Sequence, residues 1–206
     1  MKEKIKSCQP KLFDDEAQLL LPRDLIDYHS SFLEEEEGDY YLDTLLHTTP
    51  WQQHKVMMYE KEVWTPRLSA WYGDRPIRDG DKRPPIPWTN ELQALKCKVE
   101  AVTGINFNGV LLNYYRNEQD SVAWHSDKDT MPGMKTEIAS ISLGAERNFD
   151  FRSKNDPKKK YSIKLQHGSL LLMKGDLQRY WEHRIAKSSI PLGPRINLTF
   201  RKITTT

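Results

Sequence analysis

The sequence predicts a mostly β protein with flanking helices, a β-sandwich or jelly roll preceded by a helical extension. Three observations predict it. Beyond Gly104 the apolar residues recur with period two in a succession of short runs. Turn-forming residues separate those runs at regular intervals. Ahead of Gly104, by contrast, apolar residues fall at steps of three and four in two places, the spacing of one face of a helix.

In chain order, residues 1–20 read as a loosely held lead-in and 21–206 as a single domain, with the β core over about 105–203. Leu19 to Pro22 and then Leu25 to His29 suggest a short edge strand. Four acids, Glu34 to Glu37, precede Leu42, Leu45 and Leu46. Negative charge favours a helix N-terminus, so a helix over 34–47 follows, and the acids need no binding role. The second helix carries Leu92, Leu95, Val99 and Val102, with Thr89 as N-cap and Gly104 as stop. Strands are expected over 110–115, 138–143, 148–152, 161–165, 169–173 and 196–200, with turns at Gly144, Asn155 to Pro157, His167 to Gly168, Gly175 to Asp176 and Gly193 to Pro194. The Lys158, Lys159, Lys160 run falls at a hairpin tip and reads as a solvated turn.

Bulk properties narrow the class. A chain of 206 residues with 37% hydrophobic content buries a sizeable core. Thirty-one Lys and Arg against 29 Asp and Glu give a net charge of +2, too small to indicate nucleic acid without local clustering. Two cysteines, Cys8 and Cys97, make a disulfide scaffold a poor expectation. The N-terminus lacks the apolar stretch of a secretory signal, and no run approaches the length of a membrane span. An intracellular protein is therefore expected: cytoplasmic, or nuclear in a eukaryote, monomeric, with no membrane partner.

Chemistry concentrates in two places. Trp124, His125, Ser126, Asp127 contains His-x-Asp. In a strand, residues two apart share a face, so His125 and Asp127 can reach one metal. His183 in the strand-rich C-terminal half is the best third ligand. Two histidines and a carboxylate make the facial triad of non-haem Fe(II) oxygenases, which leaves positions open for a co-substrate and O2. None of His29, His47, His54 and His167 stands in a His-x-Asp, and His167 reads as a turn residue. The second place is the strand Arg195 to Arg201. Alternation puts Arg195, Asn197, Thr199 and Arg201 on one face and Ile196, Leu198 and Phe200 on the other. Two inward arginines would be costly to bury alone, and a dicarboxylate answers both; an outward polar strand at a sheet edge is the competing reading. Leu111, Asn113 and Tyr115 form a further same-face set, with an amide and a phenol able to donate to the same ligand.

Residues 50–203 resemble the AlkB family of nucleic-acid dealkylases. The resemblance is carried by Pro50 to Gln53, Pro66 to Asp74, Leu112 to Arg116, Trp124 to Asp129, Ser140 to Gly144, His167 to Ser169 and Arg195 to Arg201, in matching order and spacing. It implies a double-stranded β-helix, a form of jelly roll, with Fe(II) held by His125, Asp127 and His183. It implies that Asn113, Tyr115, Arg195, Asn197 and Arg201 hold 2-oxoglutarate, and that Asp129 lies beside the substrate base. The implied reaction uses O2 and 2-oxoglutarate to dealkylate N-alkylated bases of DNA or RNA, with aldehyde, succinate and CO2 as products. The base would have to be flipped into the pocket.

One stretch departs from that family. Close relatives often carry a second aromatic pair and Ser-Gly after the Trp71 to Asp74 stretch; here Arg75 to Pro87 has no aromatic and is rich in Arg, Lys and Pro. Stacking on an aromatic contributes ~1–3 kcal/mol per base, so the departure bears on substrate identity. Tyr72 or Trp71 is the expected substitute platform, with core packing the competing reading for either, and Arg75, Arg78, Lys82 and Arg83 are either phosphate contacts or a solvated loop. Two other readings stand beside dealkylation at this point: the same iron and 2-oxoglutarate chemistry on a protein or small molecule, and a nucleic-acid-binding module with a dead metal site.

Overall fold

Two antiparallel sheets stack face to face, and two helices cover the outer side of the larger one. The computed structural model describes residues 22–58, 60–76, 84–127 and 137–203. After a 3-10 turn, Pro22–Asp24, the elements are β1 (Ile26–His29), α1 (Glu35–Thr48), β2 (Lys55–Met58), β3 (Lys61–Trp64), β4 (Leu68–Gly73), α2 (Asn90–Thr103), β5 (Gly109–Tyr115) and β6 (Val122–His125). The chain continues with β7 (Ile138–Gly144), β8 (Arg147–Ser153), β9 (Lys160–Leu165), β10 (Ser169–Met173), α3 (Leu177–Tyr180), β11 (Trp181–Ile185) and β12 (Arg195–Arg201). The large sheet has the order β1-β10-β7-β12-β5-β4 and the small one β6-β11-β8-β9; β2 and β3 form a separate hairpin. This is the jelly roll expected of the alternating runs.

Both helices form for local reasons. Thr89 caps α2, its Oγ1 accepting from the Leu92 N–H at 3.3 Å. Gly104 ends it with φ 70°, the left-handed conformation in which only glycine is free of a Cβ penalty. In α1 the acids Glu35, Glu36 and Glu37 occupy the first turn. The buried faces of the helices, Tyr41 and Leu45 from α1 and Leu92, Leu95 and Val99 from α2, pack with Val110, Leu112, Ile141, Leu143, Ile196, Leu198 and Phe200. Each fully buried aliphatic side chain contributes about 1.5–3 kcal/mol.

The period-two pattern explains the second core. Residues that alternate with the helix-facing set, among them Tyr115, Ile138, Leu171 and Met173, point at the small sheet, where Phe149, Phe151, Leu165, Trp181 and Ile185 meet them. The space between the sheets is where polar side chains also gather. β1 pairs only with β10, an edge strand as read from the sequence. Lys158 and Lys159 lie exposed in the turn between β8 and β9, pinned by backbone bonds to Asp156. Among the described residues no helix is long and apolar enough to cross a membrane.

The β2–β3 hairpin, β4, β11 and α3 go beyond the expected elements, and the strand expected to carry both His125 and Asp127 ends at His125. The hairpin is exposed, with Val56 42%, Met57 66% and Trp64 58% accessible. It therefore lacks the in-and-out alternation by which strands announce themselves.

Candidate iron and 2-oxoglutarate site

Between the sheets lies a cavity of about 340 Å³, lined by residues of β5, β6, β7, β11 and β12. Register decides what it contains. In β12, Asn197 stands opposite Asn113 of β5 and Ser142 of β7, while Arg195 stands opposite Tyr115. All four polar residues of β12 therefore face the cavity together with Leu111, Asn113 and Tyr115.

The small sheet brings the other half. His183 of β11 pairs directly with His125 of β6, and Asp127 follows two residues on. His125, Asp127 and His183 each offer a ligand atom, and the three atoms lie within 4.8 Å of one another. The Asp127 carboxylate stands 3.8 Å from His125 Nε2 and 3.7 Å from His183 Nε2. Nδ1 of His125 meets the Ala123 carbonyl at 2.9 Å. A carbonyl only accepts, so the proton sits on Nδ1 and the lone pair of Nε2 is left for a metal. His183 is 3% exposed, and its ring lies 4.9 Å from that of Phe149. Burial pushes its pKa down to about 4 despite the opposing pull of Asp127, so the imidazole is neutral at pH 7, as a ligand must be. Burial pushes the Asp127 carboxyl up, but the Arg201 guanidinium outweighs it and holds the carboxyl well below its usual range. An ionised carboxylate beside the neutral imidazole of His183 and the Nε2 lone pair of His125 fits a divalent cation.

The deeper wall fits an anion. Arg195 is 1% exposed. Its Nη2 donates to Ser142 Oγ at 2.9 Å and its guanidinium lies 5.1 Å from the centre of the Tyr115 ring. Nε and Nη1 have no hydrogen-bond partner among the described residues. Burial pushes its pKa down to about 10, which still leaves it charged at neutral pH. A buried guanidinium with two idle donors is a receptor for a carboxylate. Arg201 forms an ion pair with Asp127 at 3.0 Å, linking the anion wall to the metal side. The groups present thus suit a dicarboxylate that reaches from Arg195 towards the metal position.

The expected residues do not all serve alike. The Asn197 amide donates to Ser140 Oγ and the Ile141 carbonyl and accepts from Thr199, so it braces the wall and has little left for a ligand. Tyr72 departs from the expected role of base platform. It pairs with Val110, whose side chain faces the helices, and is 3% exposed within the core. Trp71 donates from Nε1 to the Arg75 carbonyl at 2.7 Å, tying down the end of β4. Asp129, Arg78, Lys82 and Arg83 lie outside the described residues. His167 is the turn residue expected: its Nδ1 accepts from the Gly144 N–H at 2.8 Å.

Sequence reasoning assigned no role to Arg67, Ser142 or Arg147. Arg67 lines the cavity, donating from Nε to Asn113 Oδ1 at 2.9 Å and from Nη1 to the Ser121 carbonyl at 3.3 Å. It thereby fixes which end of the Asn113 amide faces inward. Arg147 stacks on Tyr115 and donates to the carbonyls of Asp120 and Ala186. Ser142 was legible only through the alternation it shares with Ser140, which lines the cavity; the arginines were not, because their partners come from other parts of the chain.

Residues 26–201 match the 2OG-Fe(II) oxygenase superfamily. The chain is 38% identical over 185 residues to human alpha-ketoglutarate-dependent dioxygenase alkB homolog 3, covering 85% of this chain and 65% of the relative. It is 35% identical over 179 residues to mouse DNA oxidative demethylase ALKBH2, covering 82% and 72%. The chain thus spans a little under two thirds of the length of the alkB homolog 3 sequences it matches. Among solved structures, OsALKBH1 superposes with a TM-score of 0.62 at 20% identity, covering 90% of this chain and 100% of that one, a likeness of fold.

Proposed function

Since the chain belongs to the AlkB family of 2OG-Fe(II) oxygenases, we propose that it oxidatively dealkylates N-alkylated bases in DNA or RNA, with Fe(II), 2-oxoglutarate and O2, releasing an aldehyde, succinate and CO2. The observation that carries this reading is the convergence of His125, Asp127 and His183 beside the idle donors of Arg195. Residues 21–206 are taken as one catalytic domain. Every group of the site comes from one chain, so a monomer suffices. The compartment proposed is intracellular, cytoplasmic, or nuclear in a eukaryote.

Bound iron supplies the oxidising chemistry, with 2-oxoglutarate as its reductant; the protein supplies position. His125, Asp127 and His183 hold the metal from one side and leave the cavity side open. Arg195, steadied by Ser142, takes the remote carboxylate of 2-oxoglutarate. Tyr115 and Asn113 donate to it from β5, and Arg67 keeps the Asn113 amide turned so that Nδ2 points into the cavity. Arg201 balances the charge of Asp127 and faces the co-substrate carboxylate near the metal. Phe149, Leu165, Met173 and Ile185 line the apolar part of the cavity and exclude water there.

The test is a panel of oligonucleotides carrying N-methyl adenine or N-methyl cytosine, in DNA and RNA, single- and double-stranded, incubated with Fe(II) and 2-oxoglutarate and weighed for loss of the methyl group. A second reading, the same chemistry on a protein or small molecule, is favoured by one observation: Tyr72 is sunk in the core, and the stretch after it has no aromatic to stack on a base. Succinate release with every oligonucleotide intact would select that reading.

A further inference from the structure

Asp127 stands beyond the point where a sheet would hold its backbone. The β6–β11 pairing runs from Val122 opposite Ile185 to His125 opposite His183 and then stops. Two side chains take over. Ser126 Oγ donates to the Trp181 carbonyl at 3.1 Å. The Asp127 N–H donates to Oε1 of Gln178 at 2.9 Å, across fifty-one positions of sequence.

Gln178 is well placed to be a fixed acceptor. It belongs to α3, directly ahead of β11. Its backbone carbonyl accepts from Lys154 Nζ at 2.6 Å, which ties α3 to the end of β8. Its Nε2 lies 3.7 Å from Met173 Sδ on β10. The amide cannot be turned over, because that would set an NH2 group against an N–H, two donors face to face. Meanwhile the Asp127 carboxylate is drawn towards Arg201, 3.0 Å away on β12. A carboxylate pulled from one side keeps its aim only if its backbone is held from the other.

We propose that Gln178 is a positioning residue for the iron site: by holding the Asp127 N–H it aims the carboxylate at the point where the His125 and His183 rings converge. The proposal rests on the reading of those three residues as iron ligands. It makes the short segment from Gln178 to His183 responsible for two of the three ligands, one supplied and one steered. Partners of this outer kind are worth ~10–100-fold in metal affinity.

The experiment compares Gln178→Leu, which keeps bulk and removes the acceptor, with Gln178→Glu, which keeps an acceptor. Metal-free protein is titrated with Co(II) alone, following heat and the visible d–d absorption, and the Tm of each metal-free variant is recorded. The expected result is a loss of ~10-fold or more in Co(II) affinity for Gln178→Leu, with an altered d–d band and little change in metal-free Tm, while Gln178→Glu binds close to wild type with a wild-type band. Wild-type affinity in Gln178→Leu, or an equal loss in Gln178→Glu, would overturn the proposal. Should Gln178→Leu fail to fold, Gln178→Met is titrated in its place with the same expectation. A wild-type protein that takes up no Co(II) overturns the ligand assignment, and the proposal with it.

Discussion

Arg195 concentrates the cost of this site in one side chain. A guanidinium buried with two idle donors destabilises the ligand-free protein, and an apolar side chain of similar volume there is often neutral or stabilising. Arg195→Met should therefore leave the ligand-free Tm equal to or above that of wild type. Adding 2-oxoglutarate to metal-loaded protein should then raise the wild-type Tm and leave the variant unmoved; calorimetry checks both. Asp120 is the opposite case, a buried acid with its partners present. It is 4% exposed, and Arg116 grips both carboxylate oxygens at 2.8 Å while its own N–H donates to one of them. Burial pushes its pKa up, but Arg116 more than compensates and the carboxyl ends below its usual value. The folded-state pKa is thus depressed, so its contribution is complete above the unfolded-state value near 4 and lost as pH falls through the folded one. Asp120→Asn should cost about 1–3 kcal/mol at pH 7, with a smaller penalty below pH 4; denaturant midpoints across pH report it. At this scale the candidate set was legible because Arg-x-Asn-x-Thr-x-Arg lies within one strand and His-x-Asp spans only the end of another, with His125 its last residue and Asp127 two beyond. Tyr72 was misjudged because alternation gives two faces without saying which is inside. Only its pairing with Val110 reveals that it faces the helices.

Among the elements, α2 was readable in its cap, its stop and most of its stripe, since these signals are local; Val102, expected on the buried stripe, is 51% exposed because it falls in the last turn. Thr89→Ala removes the cap and should cost about 1 kcal/mol, whereas Leu95→Ala, at a site with no exposure at all, should cost ~2–5 kcal/mol; thermal melts distinguish them. Most strands of the sandwich were equally legible, because each buries one or both faces, but β4 and β11 were not read as strands. The β2–β3 hairpin escaped because its side chains pack on little, and α3 because four residues complete barely one turn, too short for any period to register. Yet α3 carries Gln178, so the least legible helix sits nearest the chemistry.

Across the whole molecule, the two sheets differ in how they are secured. The large sheet is braced on its outer side by both helices; the small sheet carries its metal-side strand β6 on an edge, held by β11 alone with an irregular register. Local opening should begin there. Loading Co(II) should slow amide hydrogen exchange in Val122–His125 and Trp181–Ile185 and leave Asn90–Thr103 unchanged, as read by mass spectrometry. Uniform protection of both layers would contradict this division.

The place of β12 carries a consequence for synthesis. Among the described strands it comes last in the chain, yet it lies between β7 and β5 at the middle of the large sheet and brings Arg195 and Arg201 to the cavity. A nascent chain halted before residue 195 holds the imidazoles and the carboxylate but has a gap through the centre of its sheet, with two open edges that invite pairing with other chains. Such a fragment should therefore self-associate where the full sheet does not, a difference that sedimentation would report.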